Sequence, residues 1–225
     1  MKYKVSTRND EAQIFETVQG EGAFLGAPAF FIRLQGCSVG CYFCDEKESW
    51  KHDKNFQEFS SEEIIIKLKE MNHQLKRVVI TGGEPTEQDL SDLISKLVKE
   101  GYRVHIETAA TGEFTEALFK SYEDNEGTEQ RAWITCSPKE LYSKKLAHEN
   151  VWNECAELKF VVSNEDSEKY IKDVILEKYR KSGLIYLTPD WFDFDANKER
   201  VMKLVSVHPE RLRAGIQAHK YLEIA

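Results

Sequence analysis

The sequence predicts an α/β protein whose mainly parallel sheet forms a partial (β/α) barrel of fewer than eight units. Three observations carry this. Short β-type runs and longer helix-type runs alternate along the chain. Five of the apolar runs end in polar signatures: TGGEP after RVVI, ET after YRVHI, SPK after WITC, TPD after LIYL, and QAHK at the last. Three of the five cysteines lie together just after another such run. Parallel sheets of this kind carry their chemistry at the C-terminal ends of their strands.

Taken in order, Ala12–Thr17 and Ala29–Leu34 read as strands. Ser60 and Glu63 form a capping box that opens a helix to about Met71, with Ile64, Ile65, Leu68 and Met71 inward. Arg77–Thr81 is a short apolar run of the buried parallel type. A helix over Gln88–Glu100 follows from the spacing of Leu90, Leu93, Ile94, Leu97 and Val98, with Gly101 as its stop. Further strands are Tyr102–Glu107, Ala132–Cys136, Leu158–Ser163, Leu184–Leu187 and Leu212–Gln217. Helices are expected near Phe114–Ser121, over Asp166–Lys181 with a stop at Gly183, and over Ala196–Val207. Two charged stretches, 45–59 and 122–130, read as surface loops, the first with a short helix. No repeat or linker divides the chain, and 225 residues suit one domain over 1–225.

Composition sets the class. With 41% hydrophobic and 31% charged residues the chain is globular and long enough for a sizeable core. A formal charge of −8 argues against a nucleic-acid partner. No run approaches the ~20 apolar residues of a membrane span, and the N-terminus lacks the apolar core of a secretory signal. A cytoplasmic protein with no membrane partner is expected. Thiols stay reduced there, so clustered cysteines bind metal more readily than each other.

Cys37, Cys41 and Cys44 follow the spacing C-x3-C-x2-C within GCSVGCYFCD. The odd cysteine count fits poorly with a disulfide framework. A structural zinc site needs a fourth ligand, and His52, His73, Cys136 and Cys155 lack finger-like spacing. A four-iron cluster usually takes four thiolates, so three leave one iron open to a small molecule. Phe43 beside the last cysteine is placed to shield such a cluster. Arg33 sits in an apolar strand, where an unpaired charge is costly. Gln19 and Glu21 offer an acceptor-rich edge, and Gly20 and Gly22 allow close backbone approach.

The cysteine motif after an early strand, with Gly82-Gly83-Glu84-Pro85 after a later one, resembles the radical S-adenosylmethionine (SAM) superfamily. The resemblance implies a TIM-like partial barrel, a 4Fe-4S cluster on Cys37, Cys41 and Cys44, and SAM chelated by the open iron. SAM is then cleaved by one electron to a 5′-deoxyadenosyl radical. The chain is also similar end to end to the 7-carboxy-7-deazaguanine synthase family. The matching stretches are QGEG at Gln19–Gly22, Arg33 in FFIRLQGC, Cys44-Asp45 with Lys47 and Ser49-Trp50, TGGEP, IET, CSPK and QAHKYLEIA.

That family uses SAM catalytically as a lyase. It contracts the ring of 6-carboxy-5,6,7,8-tetrahydropterin and releases ammonia, for queuosine and other 7-deazapurines. The resemblance implies substrate contacts from Val18, Gln19, Gly20, Arg33, Thr81 and the terminal carboxylate on Ala225. Glu21, His219 and Lys220 are further candidates. For SAM it implies Phe43, Cys44, Asp45, Gly83, Glu84, Ser137, Pro138, Lys139, Thr188, Pro189, Asp190 and Trp191. It also implies a homodimer and a reductant such as flavodoxin. Where the family keeps a Thr or Ser that ligates Mg2+, this chain has Glu46, whose hard oxygens suit Mg2+ but which can equally point away, or repel the substrate carboxylate if no metal sits between them; Mg2+ involvement is expected. The family's ETNG is here Glu107-Thr108-Ala109-Ala110, and its Gln-Pro segment is Thr188-Pro189. The rival readings are a glycyl-radical enzyme activase and a structural zinc or iron–sulfur protein.

Overall fold

The computed structural model describes residues 1–179 and 184–224. Its strands are β1 (Lys2–Arg8), β2 (Glu11–Ala12), β3 (Ile14–Val18), β4 (Pro28–Leu34), β5 (Phe56–Ser60), β6 (Arg77–Gly82) and β7 (Arg103–Thr108). After them come β8 (Ser121–Glu123), β9 (Glu129–Arg131), β10 (Trp133–Cys136), β11 (Glu157–Val162), β12 (Ile185–Pro189) and β13 (Leu212–Ala214). The helices are α1 (Ser61–Met71), α2 (Ser91–Lys99), α3 (Val151–Glu154), α4 (Glu165–Tyr170), α5 (Leu176–Lys178), α6 (Phe194–Val207) and α7 (Ala218–Leu222).

Strands β4, β6, β7, β10, β11, β12 and β13 pair in that order, all parallel. Antiparallel β3 covers β4 along its length, and β1 pairs at its end. Among the described residues the sheet runs from β13 to β2 without closing on itself. It is therefore the partial, mainly parallel α/β barrel that the alternation of elements predicts. The parallel strands are apolar on both faces because helices or loops cover both. Val78, Val79 and Ile80 in β6 are completely buried, as are Leu93, Ile94 and Leu97 of α2.

The capping box forms as predicted. Ser60 Oγ accepts from the Glu63 amide at 3.2 Å, and Glu63 Oε2 accepts from the Ser60 amide at 2.7 Å. Replacing Ser60 by alanine is expected to lower stability by about 1 kcal/mol, read as a shifted urea midpoint with an unchanged slope. Gly101 has φ +77°, the left-handed stop expected after α2.

Several elements differ from expectation. The single strand expected over Ala12–Thr17 is split at Gln13. Its amide bonds Ser6 of β1, while its carbonyl accepts from Arg33 of β4, so the chain changes partners there. The strand expected over Leu212–Gln217 stops at Ala214, and Ala218–Leu222 turns into a helix. Phe114–Ser121 is a 3-10 turn over Thr115–Phe119. The helix over Asp166–Lys181 appears as α4, a π-turn at Ile171–Ile175 and α5; its expected stop at Gly183 lies outside the described residues.

Neither charged stretch is purely loop. The first carries the short helix, a 3-10 turn at Lys47–Trp50, and ends in β5. The second contains the hairpin β8–β9. These are edge or isolated strands, and charged residues are the usual covering of such edges. Strand β1 was not anticipated, although buried Tyr3 and Val5 alternate with lysines in it.

Candidate active site

The strand ends surround one cavity of about 710 Å³. Its first wall is built by glycine. β6 ends at Gly82, whose φ of +130° excludes most side chains; a Cβ there would lie 2.2 Å from the Leu34 backbone. A Cβ on Gly83 would lie 2.0 Å from the Gly36 carbonyl. The Gly83 and Glu84 amides donate to Leu34 and Gly36, each at 2.8 Å. The two glycines thus lock the end of β6 to the start of the cysteine loop. Gly83→Ala is expected to shift that loop, costing about 1–3 kcal/mol and lowering the iron retained per chain after reconstitution.

Glu84 does not reach the cavity. Its carboxylate is buried and accepts from the Thr86 amide, the Ala109 amide at 2.7 Å, and the Thr86 and Thr108 hydroxyls. Burial pushes its carboxyl above the ordinary range, against these hydrogen bonds. Here the glutamate of the GGEP motif ties the turn after β6 to the end of β7.

The three thiols are free of one another. Cys41 and Cys44 line the cavity. Cys37, like Cys44 and Phe43, packs against Val39, Cys41 and Ala109. Trp50 donates its ring N–H to Cys44 Sγ at 3.3 Å. Burial pushes the Cys37 thiol up to about 11. Three soft donors on one glycine-hinged loop, with an indole donor to one sulfur and apolar neighbours, fit a cluster that leaves one iron open. Among the described residues no three His, Cys, Asp or Glu side chains gather tightly enough for a single ion. The fourth ligand that a structural zinc site would need is thus not gathered with the three thiols among the described residues.

Phe43 stands edge-on to Tyr142 at 4.8 Å, and Tyr142 stacks on Phe160. Lys139 lies over the Phe43 ring at 5.7 Å and bonds Ser137. Asp190 accepts from the Tyr42 hydroxyl at 3.1 Å and from the Phe192 amide. Phe43, Cys44, Asp45, Ser137, Lys139, Thr188, Pro189, Asp190 and Trp191 all line the cavity; Gly83 and Pro138 lie outside its lining.

The opposite wall joins the two ends of the chain. Val18, Gln19, Gly20, Glu21, Arg33, Thr81 and His219 line it. Ala225 lies outside the described residues. A Cβ on Gly20 would come within 2.7 Å of His219 Nδ1, and one on Gly22 within 2.3 Å of Glu157. The close approach that these glycines permit is therefore by protein side chains. The Gly20 carbonyl also accepts from the Ala218 amide at 2.9 Å, and Gln217 donates to Glu21 at 3.1 Å.

At the centre of this wall is Lys159 of β11, which sequence reasoning missed. It is buried, pairs with Glu21 at 3.0 Å, and contacts Glu107. Glu107 in turn accepts from Gln19 at 2.9 Å. Burial alone raises a carboxyl, but the Lys159 ammonium outweighs it and holds Glu21 below the ordinary range. Burial alone lowers an ammonium, but Glu107 and Glu21 hold Lys159 well above it. Beneath them His105 bonds Thr135 at 2.6 Å; burial lowers its pKa to about 4 and keeps it neutral.

Arg33 is joined by Arg8, also missed, and by Glu46. Both Glu46 carboxylate oxygens accept from Arg8 Nη2, at 2.9 and 3.0 Å, and Arg33 Nη2 lies 3.4 Å from the same carboxylate. Arg33 Nε is buried without a hydrogen-bond partner. The Mg2+ expected at Glu46 does not fit this arrangement. Its ligand oxygens are taken by a guanidinium, a second cation flanks them, and no group of three His, Cys, Asp or Glu side chains gathers there among the described residues.

A parallel β/α sheet that brings a loop of three free thiols to the mouth of such a cavity defines a radical SAM protein. The radical SAM superfamily model matches residues 31–125. The chain is 35% identical to the 7-carboxy-7-deazaguanine synthase of Aquifex aeolicus (strain VF5), over 89% of this chain and 84% of that protein. It is 32% identical to the one from Escherichia coli (strain K12), over 95% of this chain and 97% of that protein. The crystal structure of QueE from Escherichia coli superposes with a TM-score of 0.75 at 28% identity, covering 97% of this chain and 95% of that one. The chain belongs to the 7-carboxy-7-deazaguanine synthase family.

Proposed function

We propose that this protein is a radical SAM lyase that converts 6-carboxy-5,6,7,8-tetrahydropterin to 7-carboxy-7-deazaguanine with release of ammonia, in 7-deazapurine and queuosine biosynthesis. One observation carries the reading: a single cavity joins the cysteine loop to a wall in which both chain ends present paired acceptors and an underused arginine. A flat amide–amine ring needs such acceptors, and its carboxylate needs such an arginine.

A 4Fe-4S cluster on Cys37, Cys41 and Cys44 with SAM supplies the radical chemistry. The protein's part is placement. Lys159 holds Glu21 ionised and contacts Glu107, and their oxygens accept N–H donors from the pterin edge. Arg33 Nε and Nη2 receive its carboxylate. Lys139, Ser137, Asp190 and Phe43 hold SAM against the cysteine loop. The aromatic layer behind Phe43 and the apolar wall at Phe31 and Phe160 keep water away from the reacting carbon. The family resemblance also supports a homodimer, a flavodoxin-type reductant and action in the cytoplasm, with residues 1–225 working as one domain. Among the described residues no helix is long and apolar enough to cross a membrane.

The test is turnover. Anaerobically reconstituted protein with SAM, dithionite and the carboxytetrahydropterin is expected to release ammonia and an ultraviolet-absorbing deazaguanine acid, with SAM regenerated. A brown protein that cleaves SAM but leaves the pterin unchanged would end this reading while keeping the superfamily.

A further inference from the structure

We infer that Arg8 supplies, from within the chain, the positive charge that makes room for a substrate carboxylate beside Glu46, so that this enzyme recognises that carboxylate without a metal ion. The inference rests on the pterin reading of the cavity and deepens it.

The argument is one of charge and placement. Arg33 alone would attract an incoming carboxylate. A glutamate beside it at 3.4 Å cancels that attraction and repels the newcomer. Arg8 reverses the outcome. By holding both Glu46 oxygens it leaves two guanidiniums against one carboxylate, a net positive charge at the cavity wall. The Arg33 Nε–H stays unpartnered for the ligand.

Arg8 is also held in place. It ends β1 at a two-residue hairpin whose Asn9 and Asp10 have φ of +52° and +63°, left-handed values that these residue types tolerate. Gln57 braces that turn by donating to the Asp10 carbonyl at 2.8 Å, and the Thr7 amide donates to Asn55 at 2.8 Å. A surface arginine needs no such support. One that must keep a fixed position at a ligand wall does.

The test uses reconstituted, SAM-loaded protein and two non-reacting probes of one ring system: 6-carboxypterin, which is anionic, and 6-hydroxymethylpterin, which is not. Binding is followed by fluorescence titration, with Mg2+ or with a chelator. Wild-type affinity for 6-carboxypterin is expected to be the same in both conditions to within about twofold. Arg8→Ala is expected to weaken 6-carboxypterin by about tenfold or more, one decade per 1.4 kcal/mol, while leaving 6-hydroxymethylpterin unchanged. Arg8→Ala with Glu46→Thr, which removes both charges, is expected to restore most of the loss when Mg2+ is present. Equal loss for both probes, no loss for either, or wild-type binding that needs Mg2+ would overturn the inference. Failure of the wild type to bind either pterin would instead overturn the pterin reading, and the inference with it.

Discussion

Cys44→Ser is expected to abolish product formation, a loss of at least about three decades or 4 kcal/mol of transition-state stabilisation, while leaving the fold nearly as stable as before. Cys44 lines the cavity, is only partly buried, and among the described residues its thiol accepts the 3.3 Å Trp50 donation, which a hydroxyl also accepts. The destabilisation is therefore expected to stay within about 1 kcal/mol. Iron per chain after reconstitution should fall and the brown colour fade. The combination separates the readings of the motif. A structural zinc site makes metal binding part of the folding free energy, of order 10 kcal/mol or more. Loss of a ligand from such a site would then unfold the chain. A cooperative urea transition like that of the wild type, in protein without iron, is the result expected here; a collapse of that transition would restore the structural reading.

Lys159→Met should damage both stability and turnover. Methionine keeps the bulk of the side chain but strands Glu21 and Glu107 in a wall where only a small part of either is exposed. Breaking a buried pair in this way costs about 3–5 kcal/mol at neutral pH. The pH dependence follows in sign. In the wild type Lys159 holds Glu21 below its ordinary value, so the pair's contribution is full above the unfolded pKa of about 4.3 and is lost as pH falls through the lower folded value. In the variant the burial that raises the Glu21 carboxyl is opposed only by the weaker effects of the Gln217 hydrogen bond and His219. The stability gap is therefore expected to be widest near pH 7 and to narrow as pH falls through the variant's higher Glu21 value towards the wild type's lower one. Urea denaturation at the two ends of that range measures it; a gap independent of pH would remove Lys159 from its role as counter-ion. Turnover should fall mainly through weaker pterin binding, seen as a raised KM.

Arg33 was legible because a charge in the apolar run FFIRL has to be used for something. The same signal was present at Lys159 in ELKFVV and at His105 in RVHIE, and it was not read there. Both prove to be buried and partnered. The cysteine loop, GGEP and QGEG were legible as motifs, but the roles of their parts were not. Glu84 turns inward, and Gly20 and Gly22 make room for His219 and Glu157, because those contacts join residues distant in sequence. Arg8 gave no local signal: it is half exposed on a strand that the charged N-terminus concealed. Its partner Glu46 lies 38 residues away. Spacing rules work within a loop or helix, and this site is closed by pairs outside their range.

The hydrogen bond between Gln217 and Glu21 spans 196 residues. At about 5–20 residues per second of synthesis, the QGEG segment leaves the ribosome roughly 10–40 s before the start of α7 that completes its wall. Through that interval the cysteine loop is already made while the side of the cavity formed by Gln217, His219 and Lys220 is missing. The nascent chain thus offers iron–sulfur delivery a wider approach to its thiols than the finished enzyme does. Delivery to stalled chains ending near residue 200 should accordingly outpace delivery to folded apo-protein.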